Sequence, residues 1–156
     1  MLFDHDYFMD YALREANAAF DEDEVPVGAV VVLDNRIIGR GHNRTESLKD
    51  ATAHAELLAI TSAAEQVGDW RLDNAVLYST IEPCAMCAGA AVLSRIRTIV
   101  YGGIDPRFGA CGTLFNIPVD PRLVHRIEII GGIREPEAVE LMKNFFRQVR
   151  KNKEGQ

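Results

Sequence analysis

The sequence predicts an α/β domain whose mixed sheet is covered by helices on both faces, and three observations carry that prediction. Apolar, β-branched runs of strand length alternate with segments of helical period. The first two such runs are separated by only Asp34 and Asn35, the spacing of a hairpin. After that hairpin, strands alternate with helices, the order expected of a layered α/β fold. The chain has 156 residues, 47% hydrophobic and 26% charged, which is the composition of a globular domain. A chain of this length buries roughly two-thirds of its unfolded surface. One domain spanning residues 1–156 is therefore expected, with 1–4 and 152–156 frayed.

Each element has its own justification. Residues 4–20 read as a helix: Phe8, Ala12, Ala16, Ala19 and Phe20 recur at spacings of three and four, and Asp4 can cap the start. Residues 27–33 form an apolar β-branched run, the mark of a strand buried on both faces, and 36–40 is the returning hairpin strand. Residues 52–67 have helical periodicity and end at Gly68, a C-terminal cap. Residues 75–80 are a third strand, 84–93 a helix of small residues after Pro83, and 98–101 a fourth strand halted by Gly102 and Gly103. Residues 104–125 lack a clean period and hold Pro106, Gly109, Gly112, Pro118 and Pro121, so a long loop with at most one helical turn is expected. Loops of that length in a domain are usually functional. Residues 126–130 are a fifth strand, and 136–151 a closing helix with Pro136 in its first turn.

Composition also excludes. No apolar run approaches the ~20 residues of a membrane helix. Residues 1–10 carry three Asp and no Lys or Arg, unlike a secretory or mitochondrial signal, so a cytoplasmic location is expected. Three cysteines, an odd count, do not suit a disulfide framework. The net charge of −6 is uneven. Residues 1–24 hold eight acids and one base, leaving 16 bases and 15 acids elsewhere. Near the other end Lys143, Arg147, Arg150, Lys151 and Lys153 cluster with no acid among them. An acidic balance argues against a general nucleic-acid binder but not against a local basic surface.

Two short segments carry chemistry: Thr52-Ala53-His54-Ala55-Glu56 and Glu82-Pro83-Cys84-Ala85-Met86-Cys87, each at the start of an expected helix. One imidazole and two thiolates supply three zinc ligands and leave one tetrahedral position for water, the count of a catalytic site. Cys84 and Cys87 are three apart on a helical turn, so both sulfurs reach one ion. A helix N-terminus favours thiolate over thiol. Glu56, two residues after His54, falls near the metal without having to bind it. There it can take a proton from a metal-polarised water and deliver it to a substrate.

Each feature also has an ordinary reading. A lone His in an apolar helix is commonly a satisfied core residue, and a buried free Cys behaves as a small hydrophobe. A single Cys-x-x-Cys is also a redox pair or half of a zinc knuckle. The conjunction of all four residues, with Pro83 before the first Cys, favours a zinc site with one ion per chain. Cys111, in the long loop, is either a fourth ligand that would make the site structural or a partly buried thiol.

These segments resemble the zinc signature of the cytidine and deoxycytidylate deaminase superfamily. The resemblance extends, from about residue 5 to 151, to the bacterial tRNA-specific adenosine deaminase family. Its specific part is Glu24-Val25-Pro26-Val27 with His42-Asn43-Arg44 and Phe145-Phe146-Arg147, supported by Leu77-Tyr78 and Ser94-Arg95-Ile96. The 104–112 loop does not follow the family position for position. The resemblance implies a three-layer α/β/α sandwich with a five-stranded mixed sheet, cytidine deaminase-like, acting as a homodimer. It implies hydrolytic deamination of adenosine to inosine at the wobble position of a tRNA anticodon stem-loop. Glu56 would carry a proton to N1 of adenine and assist the departure of ammonia. Asn43 would hydrogen-bond the flipped base, Val27 would pack against it, and the Ala55 backbone would help fix it. Asp105 would lie in the loop that meets the neighbouring nucleotides. Phe146 would approach a base, and Arg150, with Arg147 and Lys151, would contact RNA. The small-residue helix 84–93 would allow close approach of a second subunit.

Two other readings remain open on the sequence. A deaminase of a free base or nucleoside, of guanine or cytosine type, would share the chemistry and need no phosphate surface. A zinc-stabilised interaction module would need no carboxylate two residues after its ligand, and Glu56 argues against it.

Overall fold

The computed structural model describes residues 2–155. Five strands, β1 (Gly28–Leu33), β2 (Arg36–His42), β3 (Val76–Ile81), β4 (Thr98–Gly103) and β5 (Glu128–Ile130), form one sheet in the order β2-β1-β3-β4-β5. β1 is antiparallel to both β2 and β3, whereas β3, β4 and β5 run parallel, so the sheet is mixed as expected. The helices are α1 (His5–Asp21), α2 (Thr45–Leu48), α3 (Ala55–Val67), α4 (Ala85–Leu93) and α5 (Glu135–Glu154).

Alternation along the strands creates the layers, because successive side chains leave a strand on opposite faces. Val30, Val32, Val76, Tyr78 and Val100 pack with Phe8, Met9, Ala12 and Leu13 of α1 and Ala138 of α5. Ala29, Val31, Leu77 and Ile99 pack on the other face with Ala59, Ile60 and Ala63 of α3 and Ala88, Ala91 and Val92 of α4. Two cores on opposite sides of one sheet make the expected three-layer sandwich.

Local chemistry explains most boundaries. The Asp4 carboxylate accepts the Tyr7 N–H at 2.9 Å and caps α1, an arrangement worth about 1 kcal/mol. Asp34 and Asn35 both take positive φ, 50° and 63°, the geometry of a two-residue hairpin turn. α3 ends on Gly68 in the left-handed region. The helix expected from residue 52 begins instead at Ala55, because Asp50 Oδ1 accepts both the N–H and the hydroxyl of Thr52 and holds it in a turn. The fifth strand, expected from 126, starts at Glu128, since the Ile127 N–H is committed to the Pro118 carbonyl. The long loop holds one 3-10 turn, Ile117–Val119. At the ends, Phe3 stacks on Tyr7 with ring centroids 4.1 Å apart, and α5 runs through Glu154. The fraying expected at residues 1 and 156 lies outside the described residues.

α2 was not expected. It exists because Glu24 is buried beneath it and accepts the N–H groups of Glu46 and Ser47 at 2.9 and 2.8 Å, the anion position at a helix start. β2 and α3 meet through glycine: a Cβ on Gly41 would lie 2.5 Å from the Ala55 carbonyl oxygen. The start of α3 can therefore rest directly on the sheet.

The topology brings four chain segments to one end of the sheet. Gly28 pairs with His42, and β1 opposes β3 and β4, so Val27, Asn43, Glu82 and Asp105 all emerge at the same end. That end is the carboxyl edge of the parallel strands, where open α/β sheets bind ligands.

Candidate active site

His54 and Cys84 occupy the N-cap positions of α3 and α4, with extended backbones at φ −79°, ψ 151° and φ −76°, ψ 176°. An N-cap side chain projects beyond the helix end, and Cys87 lies one turn into α4 on the same side. His54 Nδ1 is 3.6 Å from Cys84 Sγ and 3.5 Å from Cys87 Sγ. The ligating atoms of all three lie within 4.8 Å of one another, a cluster compatible with one metal ion. Cys111, the possible fourth ligand, is outside the cluster. Its Sγ faces the Pro83 carbonyl at 4.0 Å, and burial, helped by Glu82, pushes its thiol up to about 12.

The cluster's electrostatics suit a cation. The Cys87 S–H and then His54 favour the charged form of Cys84 and hold it down at about 4 against its burial. Its thiolate and then burial push Cys87 upward, while the hydrogen bond to Cys84 raises His54. A bound cation favours the thiolate form of the sulfurs that ligate it. Glu56, the second residue of α3, is 4% exposed. Burial pushes its carboxyl up to about 7, opposed by its own backbone N–H and by His54. A carboxyl poised near neutrality can both accept and release a proton.

Above the cluster opens a cleft of about 430 Å³, lined by His54, Ala55, Glu56 and Cys84 on its floor. Val25, Val27, Ile81, Phe108, Met142 and Phe146 make its walls apolar, and Asn43, Thr45, Glu82, Asp105 and Arg107 add polar groups. Asn43 is buried; its Nδ2 donates to the Val25 carbonyl at 3.2 Å and its Oδ1 accepts the Thr45 N–H at 3.2 Å. An amide side chain has two donors and two acceptor sites, so one of each is left for the cleft. Asp105 lines the cleft, but its Oδ1 accepts the N–H groups of Arg107 and Phe108 at 2.9 and 3.1 Å, shaping the loop itself.

Phe145 and Phe146 divide their tasks. Phe145 is buried against Phe20 with centroids 5.9 Å apart, and Phe146 reaches the cleft. Arg150 is outside the cleft. It lines an adjoining groove with Lys143, Arg147, Phe146, Pro106 and Arg107. Lys143, not Lys151, completes the basic groove face, since 143, 147 and 150 follow the helical period of α5. Two buried acids had no assigned role in the sequence reading. Glu24 supports the segment after Asn43, and Glu82 fastens the loop that carries Asp105. The signal was present: each is a carboxylate against an apolar stretch, before Val25-Pro26 and after the fully buried β3.

Residues 3–150 match the MafB19-like deaminase family. A tRNA-specific adenosine deaminase of Bacillus subtilis (strain 168) is 45% identical over 148 residues, 95% of this chain and 92% of that protein. This chain belongs to the tRNA-specific adenosine deaminase family. A solved tRNA:A34 deaminase, studied for A-to-I editing at the wobble position of transfer RNA, is similar at TM-score 0.83 and 46% identity, over 86% of this chain and 98% of that one. A guanine deaminase from Bacillus subtilis is similar at TM-score 0.62 and 36% identity, over 65% of this chain and 66% of that one.

Proposed function

We propose that this chain is a zinc-dependent hydrolase that converts adenosine to inosine, releasing ammonia, at the wobble position of a tRNA anticodon. The observation that carries the reading is Glu56, buried beside the His54–Cys84–Cys87 cluster on the floor of an apolar cleft. The donor set suits zinc, which when bound polarises a water and brings its pKa toward neutrality. Glu56 takes the proton released as water adds to C6 of the adenine, passes it to N1, and then assists the departing amine. The products balance as inosine and ammonia. Val27 packs against the flipped base, the free donor and acceptor of Asn43 meet its edge, and the Ala55 backbone holds it over the floor. Phe146 closes the wall, and Asp105 shapes the loop beside the flanking nucleotides. Arg150, with Lys143 and Arg147, meets the RNA backbone along the adjoining groove.

The same reading takes residues 1–156 as one deaminase domain acting in the cytoplasm as a homodimer. No helix among the described residues is long and apolar enough to cross a membrane. For the dimer, α4 offers a close-approach face: Leu93 is 76% exposed and a Cβ on Gly89 would meet nothing within 4 Å. Inosine formation in an anticodon stem-loop, measured beside ammonia release from free guanine, cytosine and adenosine, tests the reading. Turnover of the stem-loop alone is expected. Turnover of a free base with none of the stem-loop would replace it by a free-base deaminase.

A further inference from the structure

Glu82 leaves the carboxyl end of β3 immediately before Pro83 and Cys84, and it is 2% exposed. Its Oε1 accepts the Asp105 N–H at 3.1 Å and the Thr113 hydroxyl at 2.5 Å. Its Oε2 accepts the N–H groups of Cys111 and Thr113 at 2.9 and 3.1 Å. A carboxylate has about four lone-pair sites, and one loop fills all of them. A buried carboxylate persists only where such bonds replace its hydration, so the loop and the acid fix one another.

The contact is close. A Cβ on Gly109 would lie 2.5 Å from the Glu82 carboxyl carbon. Gly109 also bridges to Cys84, and the Ala110 N–H donates to the Pro83 carbonyl at 2.9 Å. The loop is thereby fastened to the turn that bears a metal-cluster sulfur. Further along, Asp105 folds Arg107 and Phe108 over the cleft through their N–H groups. We propose that Glu82 is a positioning residue for the substrate: it sets the separation between the Cys84 floor and the Asp105–Arg107–Phe108 wall, and so the fit of the bound nucleotide. The inference rests on the reading that the cleft receives a nucleotide of tRNA.

Glu82→Gln keeps the shape but replaces one acceptor oxygen by an NH2 donor that faces the loop's own donors. The metal-loaded variant and wild type are compared in metal content, in hydrogen exchange of the Cys111 and Thr113 amides, and in KM and kcat on an anticodon stem-loop. Metal content should be unchanged, exchange faster by about 100-fold, and KM raised about tenfold with a smaller fall in kcat. Faster exchange with an unaltered KM would make Glu82 a purely structural acid and overturn the proposal. Metal loss in step with kcat would overturn it too, placing its effect on Cys84. If Glu82→Gln does not fold, Thr113→Val removes one of the four bonds. KM should then rise roughly threefold with metal intact, and an unchanged KM overturns the proposal. A wild type inactive on the stem-loop but active on a free base overturns the functional reading and this substrate with it. An active wild type with an unaltered variant KM overturns the proposal alone.

Discussion

The floor and the outer wall of the cleft are built in opposite ways. On the floor, His54, Glu56, Cys84 and Cys87 come from two short segments, and each is placed by its position on a helix start. The wall comes from a loop and from α5, whose facing residues are set by packing and by buried carboxylates distant in sequence: Asp105 and Thr113 lie 23 and 31 residues from Glu82. The chemistry of the floor is thus local and rigid, while the shape of the wall depends on long-range bonds. Changes to the floor should abolish reaction or metal, and changes to the wall should alter recognition.

The largest effect is expected at Glu56. Glu56→Gln should lower turnover by at least ~10³-fold while leaving metal content and stem-loop affinity near wild type. Single-turnover kinetics beside metal analysis checks this. A loss shared equally with affinity would blur the division between floor and wall. Next come the cluster cysteines. Cys84→Ser or Cys87→Ser should strip the metal, whereas Cys111→Ser, whose sulfur faces the Pro83 carbonyl, should retain it. Metal-to-protein ratios after dialysis decide the assignment.

A smaller effect is expected at the wall's basic edge. Arg150→Ala should weaken stem-loop binding by about three- to tenfold and reduce the salt slope by roughly one, with metal content and fold unchanged. Titrations at several salt concentrations measure both. The smallest effect concerns Glu24, under the segment that follows Asn43. Burial pushes its carboxyl up, but the N–H groups of Ser47 and Glu46 outweigh this and leave it below its usual 4.5. A lowered folded value means stability that is present above 4.5 and fades as pH falls through the lower folded value. Glu24→Gln should cost about 1–2 kcal/mol at neutral pH and flatten the acid side of the stability curve. Denaturant melts between pH 3 and pH 7 check the sign.

The same contrast explains what could be read in the sequence. Helices and strands followed from periodicity because both sheet faces are covered and alternate residues of β1 serve two cores. The floor was legible because a ligand pair three apart and an acid two after an imidazole are spacings within one helical turn. α2 was not legible, since a four-residue helix owes its existence to a carboxylate more than twenty residues away. Asn43 was picked out by the family resemblance alone, since its own position says only that it follows β2. Its setting comes from bonds to Val25 and Thr45, which hold the amide at the cleft wall with one donor and one acceptor unused. The basic residues of α5 were visible as a cluster, but the groove sorts them by face, taking Lys143 and leaving Lys151 aside.

The glycine at position 41 carries a consequence for protein engineering. With no side chain between β2 and the Ala55 carbonyl, the start of α3 rests on the sheet like a beam on a sill, and His54 and Glu56 inherit that height. Redesign for new substrates therefore has a natural seam. The tip residues Pro106, Arg107 and Phe108 can be varied as an interchangeable cassette, because their own side chains supply none of the four bonds to Glu82. Gly41 marks the opposite margin: a library that diversifies this sill would lift the floor itself, so selection there would return inactive clones in place of altered specificity.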